Sequence, residues 1–540
     1  MKKEATGFRL IFGYLGMFMI FIGFLTALPL LLLIFYPEEK DCLSDFLAPA
    51  TLYVIVGWIL YLTLIFKRER KPFVRCEDRH ILMAIWLAAI LAGALPFMHA
   101  HWAHGMNMTF SESIFESASA YSTTGLTAFK DYIDVQGAYA PHVFVYHRAQ
   151  MQFVGGAGLI LVLASILSSS GSMSLFSSEG HTDRILPSMG KTAKVIFAIM
   201  FGWTVIGTIC LWLSGMPIYD AVIISMCSIS GGGMAPTTGS IGYYRTITSN
   251  GLFTTHPMAI EIIVMFLSAF SAISYTLHVM FLKGKILKFF KDVEIKFALI
   301  IVAFAVVFTG IGACYNYSQL NQVAFGTNAG ELFWESLFYT VTCAATTGFS
   351  TGNIASMMAL GKPLIYTCVV LMIVGGGMGS AGGGIKQYRI ALCIKDVVNS
   401  IRYRFASSRT LNPVTVYRYG KRQQIEDSKF KEAHNYAYLY LTLFLALSAI
   451  LCFLPDIGPE EAMFDVASGM SNTGLALIDY VAYGKAHPKV YPILLWVLSV
   501  GMVLGRLEIM PLIDMIRNYV LEFRVINAER RKKKEMRESI

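Results

Sequence analysis

The chain has few charged residues and lacks the residue spacings typical of soluble enzymes. Only 15% of its 540 residues are charged, against roughly 25% in an ordinary soluble domain. The nine cysteines form no CxxC or other metal-binding spacing, and the sequence contains no phosphate-binding loop and no evident nucleophile–base pair. These absences argue against a soluble enzyme, and the cysteines in apolar surroundings are expected to be small core residues.

Long uncharged stretches occupy much of the chain instead. About 20 apolar residues suffice to cross a bilayer, because an α-helix rises about 1.5 Å per residue. Apolar stretches cover residues 10–36, 46–66, 81–98, 195–217, 262–282, 297–317, 363–385, 436–455 and 490–505. The sequence therefore predicts an all-α polytopic membrane protein. The first stretch is expected to be a retained helix, since it is too long for a signal peptide and lacks a cleavage site.

Most of the positive charge lies in alternate connecting segments. Of the 44 Lys and Arg residues, 36 fall in the segments 2–9, 67–79, 184–194, 283–296, 386–431 and 517–540. Cytoplasmic loops of membrane proteins carry such an excess of Lys and Arg. We therefore expect these segments and both termini to lie in the cytoplasm, with the basic tail 530–537 beside anionic membrane lipid and no nucleic-acid partner.

Four short segments on the side without positive charge form an internal repeat. They align when Gly125, Gly233, Gly348 and Gly474 are set in register. An acid stands thirteen residues before each glycine, a small residue twelve before and a large apolar residue ten before. The acids are Glu112, Asp220, Glu335 and Glu461, and the apolar residues are Phe115, Ile223, Phe338 and Phe464. Four matches at several offsets indicate a repeated structural unit rather than four unrelated turns.

Each segment has room for a helix of about twelve residues, roughly 18 Å long and thus only half of a bilayer. Such a helix enters the membrane and turns back, with its acid at the positive end of the helix dipole. Non-helical backbone at membrane depth must line a cavity or be buried in protein, and rings of carbonyls there can replace the hydration shell of a monovalent cation. The predicted filter residues are Ser122, Thr123, Thr124, Gly125, Ser230, Gly231, Gly232, Gly233, Ala345, Thr346, Thr347, Gly348, Ser471, Asn472, Thr473 and Gly474.

Three further motifs, RILPSMGKTAK (184–194), IVGGGMGSAGGGIK (373–386) and LGRLEIMPL (504–512), accompany the repeat. With it, they make the chain resemble the TrkH/KtrB/HKT superfamily, and its two leading helices resemble the TrkH type most. The resemblance implies K⁺ uptake across a bacterial inner membrane, a homodimer, and a cytosolic nucleotide-binding regulator of the TrkA type. K⁺ would be bound by filter carbonyls, with no organic cofactor. Glycine at all four filter positions favours K⁺ over Na⁺, although Gly231 replaces the threonine usual in relatives.

A glycine-rich run interrupts the seventh apolar stretch. Seven of the ten residues 375–384 are glycine, and each glycine disfavours a helix by about 1 kcal/mol relative to alanine. Arg506 follows its filter glycine by a similar number of residues, and an ionisable residue within a span is usually functional. We expect a gate formed by Arg506 and by Gly375, Gly376, Gly377, Gly379, Gly382, Gly383 and Gly384. Lys386 and Arg389 are expected to close the span and to face the cytoplasm.

The repeats divide the chain into five parts. Residues 1–79 hold two leading helices, and the repeats occupy 80–190, 191–290, 291–431 and 432–540. A gated, channel-like K⁺ pore is the favoured function. Two alternatives stay open at this point: a secondary transporter that couples K⁺ entry to H⁺ or Na⁺, and an integral membrane enzyme.

Overall fold

The computed structural model describes residues 4–5, 7–70, 77–100, 108–129, 140–158, 189–245, 256–352, 354–405 and 414–507, with six scattered positions from 509 to 520. The segment 159–188, which includes part of the link 184–194, and the basic tail 521–540 lie outside the described residues. The helices are α1 (Phe8–Ala27), α2 (Leu43–Leu64), α3 (Glu77–His99), α4 (Phe110–Tyr121), α5 (His142–Ala157), α6 (Met189–Leu213), α7 (Ile218–Ser230), α8 (Pro257–Ser271), α9 (Tyr275–Leu282), α10 (Ile286–Phe290), α11 (Val293–Asn321), α12 (Ala329–Ala344), α13 (Ile354–Ala359), α14 (Lys362–Val374), α15 (Gln387–Phe405), α16 (Asp427–Cys452), α17 (Pro459–Ser471), α18 (Tyr480–Ala486) and α19 (Tyr491–Leu507).

Short strands and 3₁₀ turns complete the fold. Strands β1 (Glu4–Ala5) and β2 (Glu69–Arg70) pair in parallel, and β3 (Thr415–Arg418) and β4 (Lys421–Gln424) form an antiparallel hairpin. The 3₁₀ turns are Leu28–Ile34, Pro37–Cys42 and Ser240–Gly242. The protein is an all-α polytopic membrane protein, as the sequence predicts, and these strands are too short to change its class.

Among the described residues, six helices are long and apolar enough to cross a membrane. The leading pair α1 and α2 pack closely because glycines lie at their contact. A methyl group on Gly16 would lie 2.8 Å from the carbonyl oxygen of Gly57, and one on Gly57 would lie 2.7 Å from that of Gly16. Small residues let membrane helices approach in this way. The pair packs against α3 and leaves much of its apolar surface exposed.

Four units of similar construction follow the leading pair. Each consists of an outer helix, a short pore helix, an extended filter strand and an inner helix. The outer and pore helices are α3 and α4, α6 and α7, α11 and α12, and α16 and α17. The inner helices are α5 in repeat one, α8 and α9 in repeat two, α14 and α15 in repeat three, and α19 in repeat four. The limits set for the five parts of the chain remain predictions.

Two inner helices are broken, and only one of the breaks is expected from the sequence. The axis bends by 113° between α8 and α9, so the stretch 262–282 is not the single span that its hydropathy indicates. The second break separates α14 from α15 in the glycine-rich segment. The two breaks bond to each other: Gly377 N donates to the Ala272 carbonyl at 2.8 Å, and Ala381 N donates to that of Ser271 at 3.3 Å. Backbone groups that a helix break leaves unpaired are thereby satisfied within the protein.

Candidate ion-conducting site

The acids predicted for the first turn of each pore helix lie there in three repeats, but Glu335 stands six residues after the start of α12 at Ala329. Glu112 and Thr109 form a capping box at the start of α4, which satisfies two otherwise unpaired N–H groups. Two equivalent acids anchor the segments that follow their filters. Tyr244 donates a hydrogen bond to Asp220 at 2.8 Å, and Thr351 Oγ1 donates to Glu335. These two acids therefore also fix the position of the chain that returns from their filters.

At its other end, each pore helix turns into the filter in the same way. The residue two before each filter glycine has a left-handed conformation: Thr123, Gly231, Thr346 and Asn472, with φ between 53° and 77°. The next N–H then donates to the carbonyl five residues earlier, with lengths of 2.8 to 2.9 Å. These bonds join Thr124 to Ser119, Gly232 to Cys227, Thr347 to Thr342, and Thr473 to Ser468. The four predicted filters share one backbone turn, although their sequences differ.

The four filter glycines form a closed ring. A methyl group on Gly125 would lie 3.1 Å from the nitrogen of Gly233, and one on Gly233 would lie 2.8 Å from the carbonyl carbon of Gly348. A methyl group on Gly348 would meet the backbone of Thr473, and one on Gly474 would lie 2.8 Å from Cα of Gly125. Each filter thus touches the next, and the fourth touches the first. This close contact explains why glycine occupies all four positions, since no side chain fits between neighbouring filter strands.

Buried carboxylates hold the chain as it leaves filters one and four. Ala128 N donates to Glu116 at 3.1 Å, and Leu477 N donates to Asp465 at 2.7 Å. Each acid lies nine residues before its glycine, and each donor lies three residues after it. This spacing is a repeat signal that the sequence analysis missed. Arg148 from α5 donates to Glu116 at 2.6 Å and balances its buried charge, as buried charges require.

A cavity of about 460 Å³ opens on the glycine side of the ring. Its lining includes all four filter glycines, Arg148 and Asp479. The exit segments of the filters form its walls. We call this side of the filter its glycine end, and the side next to the pore helices its helix end.

The helix end is covered by the loop between α14 and α15, residues 375–386, which we call the break loop. It contacts three filters. Gly383 N donates to Oγ1 of Thr346 at 3.2 Å, and a methyl group on Gly383 would lie 2.7 Å from Oδ1 of Asn472. A methyl group on Gly231 would lie 3.4 Å from Ala381. The break loop therefore packs directly against filters two, three and four.

Two basic side chains hold the break loop. Arg506 from α19 donates to the carbonyl of Ala381 in the loop and, at 2.6 Å, to that of Gly155 in α5. Lys386 donates from Nζ to the carbonyl of Gly382 and is only 9% exposed. Like Arg389, which is 7% exposed, it therefore does not face the cytoplasm as expected. It folds back under the loop because the loop carbonyls, freed from helical bonding, need donors.

Comparisons with known proteins place this architecture in a family. The sequence profile described as TrkH, cation transport protein, matches residues 52–519. The chain belongs to the TrkH family. The TrkH potassium uptake protein of Salmonella typhimurium is 27% identical over 518 residues, covering 94% of this chain and 98% of the relative. An uncharacterized cation transporter of Methanocaldococcus jannaschii is also 27% identical over 518 residues, 95% of each chain.

The crystal structure of the potassium transporter TrkH from Vibrio parahaemolyticus has the same fold. It matches with a TM-score of 0.76 and 23% identity, covering 94% of this chain and 98% of that chain. The predicted resemblance to the TrkH type is confirmed. TrkH proteins are cation transporters, so the expectation of a transporter rather than an enzyme is confirmed as well. The roles of individual filter and gate residues in this TrkH-family chain remain predictions.

Proposed function

We propose that the chain takes up K⁺ across the cytoplasmic membrane through the axis of the filter ring. The observation that carries this proposal is the closed contact between Gly125, Gly233, Gly348 and Gly474. Four identical turns around one axis supply carbonyl oxygens that can replace the water around a monovalent cation. The related TrkH proteins named for potassium uptake support K⁺ as the ion.

Flux through purified protein in liposomes tests this function. Under matched outward gradients we expect K⁺ and Rb⁺ to pass much faster than Na⁺ or Li⁺. A channel-like pore should conduct K⁺ with no H⁺ or Na⁺ gradient. K⁺ movement that strictly requires one of those gradients would instead identify a coupled transporter, and equal K⁺ and Na⁺ fluxes would contradict the selective filter.

The break loop is the proposed gate. It covers the helix end of the filter, where it contacts Thr346 and Asn472, and Arg506 holds its Ala381 carbonyl. A closed pore needs such an obstruction on its axis and a way to remove it. Glycine-rich backbone can change its path with little steric cost, and the loop can move if Arg506 releases it.

The β3–β4 hairpin gives a route by which a cytosolic partner could act on the gate. Tyr419 N at its turn donates to Asp292 at 2.8 Å, and Arg418 lies 3.6 Å from Glu294 at the start of α11. A methyl group on Gly377 of the break loop would lie 2.9 Å from that same Glu294 carboxylate. The hairpin lies within the basic segment 386–431. We therefore place the docking site of a nucleotide-binding TrkA-type subunit on this segment and expect the purified chain alone not to respond to ATP or NADH.

The proposed function includes a homodimer of complete pores with both termini in the cytoplasm. Labelling of single cysteines in intact cells tests the orientation. An impermeant reagent should label position 130, between repeat one's filter and inner helix, and should leave position 421 in the hairpin unlabelled. The reverse pattern would invert the pore and contradict the placement of the basic segments in the cytoplasm.

A further inference from the structure

The second filter lacks the side chains that hold the other three. In filters one and four, Ser Oγ accepts from the glycine N–H: Ser119 from Gly125 at 3.0 Å and Ser468 from Gly474 at 2.9 Å. In filter three, Thr347 Oγ1 donates to the carbonyl of Thr342 at 3.3 Å. In repeat two, Cys227 stands in place of those serines and Gly232 in place of Thr347, so filter two lacks these hydroxyl groups.

The second filter also differs in backbone conformation. Gly125, Gly348 and Gly474 have φ between 70° and 99°, whereas Gly233 is not among the residues with positive φ. A run of three glycines has the largest conformational freedom of any tripeptide. Something outside the strand must therefore restrict it if all four quarters of the ring are to keep one width.

Helix α5 of repeat one runs alongside this strand. Arg148, Gln152 and Gly156 are spaced by four residues and so share one face of the helix. Arg148 lines the cavity at the glycine end. At the helix end, a methyl group on Gly156 would lie 2.7 Å from Cβ of Ser230. Gln152, between them, faces the middle of the filter.

The Gln152 amide packs directly on the second filter. A methyl group on Gly232 would overlap this amide, whose Cδ, Nε2 and Oε1 are the three nearest atoms to it. Gln152 is fully buried, and neither amide atom has a hydrogen-bond partner among the described residues. Its contact with the strand is therefore one of packing, without a hydrogen bond.

We propose that Gln152 is a positioning residue that sets the width of the pore at the second filter, by filling the space that a side chain on Gly232 would otherwise occupy. This inference rests on the proposed function, since a width matters only if ions pass the ring. Under this proposal repeat one affects selectivity through the filter of repeat two as well as through its own.

The test is a set of substitutions measured as the K⁺ to Na⁺ flux ratio in liposomes. Gln152→Ala leaves a cavity beside the strand, and the ratio should fall by roughly fivefold or more, as the strand relaxes into the space. Gln152→Leu keeps most of the volume and removes two unpartnered polar atoms, so it should fold at least as well and keep the parental ratio.

A double variant distinguishes loss of the packing contact from general destabilisation of the protein. Gly232→Ala alone should lower the ratio, since its methyl group overlaps the amide. Combined with Gln152→Ala, the same methyl group fills the vacated space, and the ratio should recover towards that of the parent. The φ angle of Gly232 is not positive, so alanine can adopt the same backbone conformation without strain.

Gln150→Ala is the matched control. Gln150 is also buried in α5, but its Nε2 donates to the carbonyl of Leu25 in α1 at 2.7 Å, away from the filter. We expect this variant to keep the parental ratio. The proposal is overturned if Gln152→Ala keeps that ratio, if Gln152→Leu loses it, or if the double variant shows no recovery. A parent that does not prefer K⁺ would overturn the proposed function first, and this inference with it.

Discussion

The two ends of the filter differ in symmetry. At the glycine end, four strands from four repeats touch in sequence and close a ring. At the helix end, a single segment from repeat three covers the axis. Repeat four holds it through Arg506, and repeat two bonds to it through Ser271 and Ala272. The fourfold pattern is kept at the proposed selectivity ring and is broken at the helix end of the filter.

This difference indicates how the two proposed tasks are divided. Selectivity needs equal carbonyl distances around an ion, so all four repeats must keep the same turn. Gating needs an obstruction that can move as one piece, and a single loop moves more readily than four. Substitutions at the glycine end should therefore change which ion passes, whereas substitutions at the helix end should change how much passes.

The largest effect is expected at Gly348. Gly348 has φ of 70°, and the carbonyl oxygen of Thr473 occupies the place that its Cβ would take, so Gly348→Ser forces a side chain into the contact between filters three and four. We expect selective K⁺ flux to fall by about a hundredfold or to be lost, because overpacking there cannot be relieved without moving a strand. Flux of K⁺ and Na⁺ from liposomes measures it.

Gly125→Ser is the graded comparison for that variant. The nearest atom to a methyl group on Gly125 is 3.1 Å away, so we expect some K⁺ flux to remain and more Na⁺ to pass. Gly202→Ser is the control, since a methyl group there meets no described atom within 4 Å. If both filter variants kept the parental selectivity, the ring would not be the selective element.

The next largest effect is expected from shortening the break loop. Removal of residues 377–383 deletes the contacts with Thr346 and Asn472, so K⁺ flux should rise by about tenfold or more while the preference for K⁺ over Na⁺ is kept. The measurement is basal flux of monodisperse protein. If the segment only packs, the shortened protein should unfold or conduct no more than the parent.

Arg506→Ala should have a smaller effect of the same sign. It removes charge-assisted bonds to the carbonyls of Ala381 and Gly155, each worth about 1.5–3 kcal/mol, and it removes a positive charge beside the pathway. Basal K⁺ flux should rise severalfold, and less in Arg506→Lys, which keeps the charge but loses the fork. Lys362→Ala is the control: its ion pair with Glu460 is exposed and should matter little. Unchanged flux in Arg506→Ala would remove this residue from the gate.

The smallest effect is expected at Thr346. Thr346→Val keeps the shape of the side chain and deletes the acceptor for Gly383 N. A single neutral hydrogen bond contributes about 1 kcal/mol, so basal flux should rise by about fivefold at most, with selectivity unchanged. A loss of selectivity without extra flux would mean that this hydroxyl belongs to the filter rather than to the contact with the loop.

The sequence predicts features that depend on a local signal and misses those that depend on distant partners. The pore helices are visible because acid, small residue and glycine recur at fixed offsets, and the break after Val374 is visible because glycine disfavours helix. The bend between α8 and α9 has no such signal. Its free carbonyls, at Ser271 and Ala272, are satisfied by a loop more than 100 residues away.

Side-chain burial was predicted less well than backbone structure. Lys386 follows a span and carries a charge, which favours the cytoplasmic surface, but its ammonium group reaches back to Gly382. The role of Gln152 has no local sequence signal, because the strand that it packs against lies in the next repeat. Glu116 and Asp465 could have been found from their common offset, since both stand nine residues before a filter glycine.

The position of the ion tests the proposed pathway most directly. Crystals grown in Rb⁺ should give anomalous peaks on the axis enclosed by Gly125, Gly233, Gly348 and Gly474, with none in crystals grown in Na⁺ alone. The carbonyls of the four filters should surround each peak at similar distances. Rb⁺ bound elsewhere in the protein, with an empty axis at the same concentration, would contradict conduction through this ring.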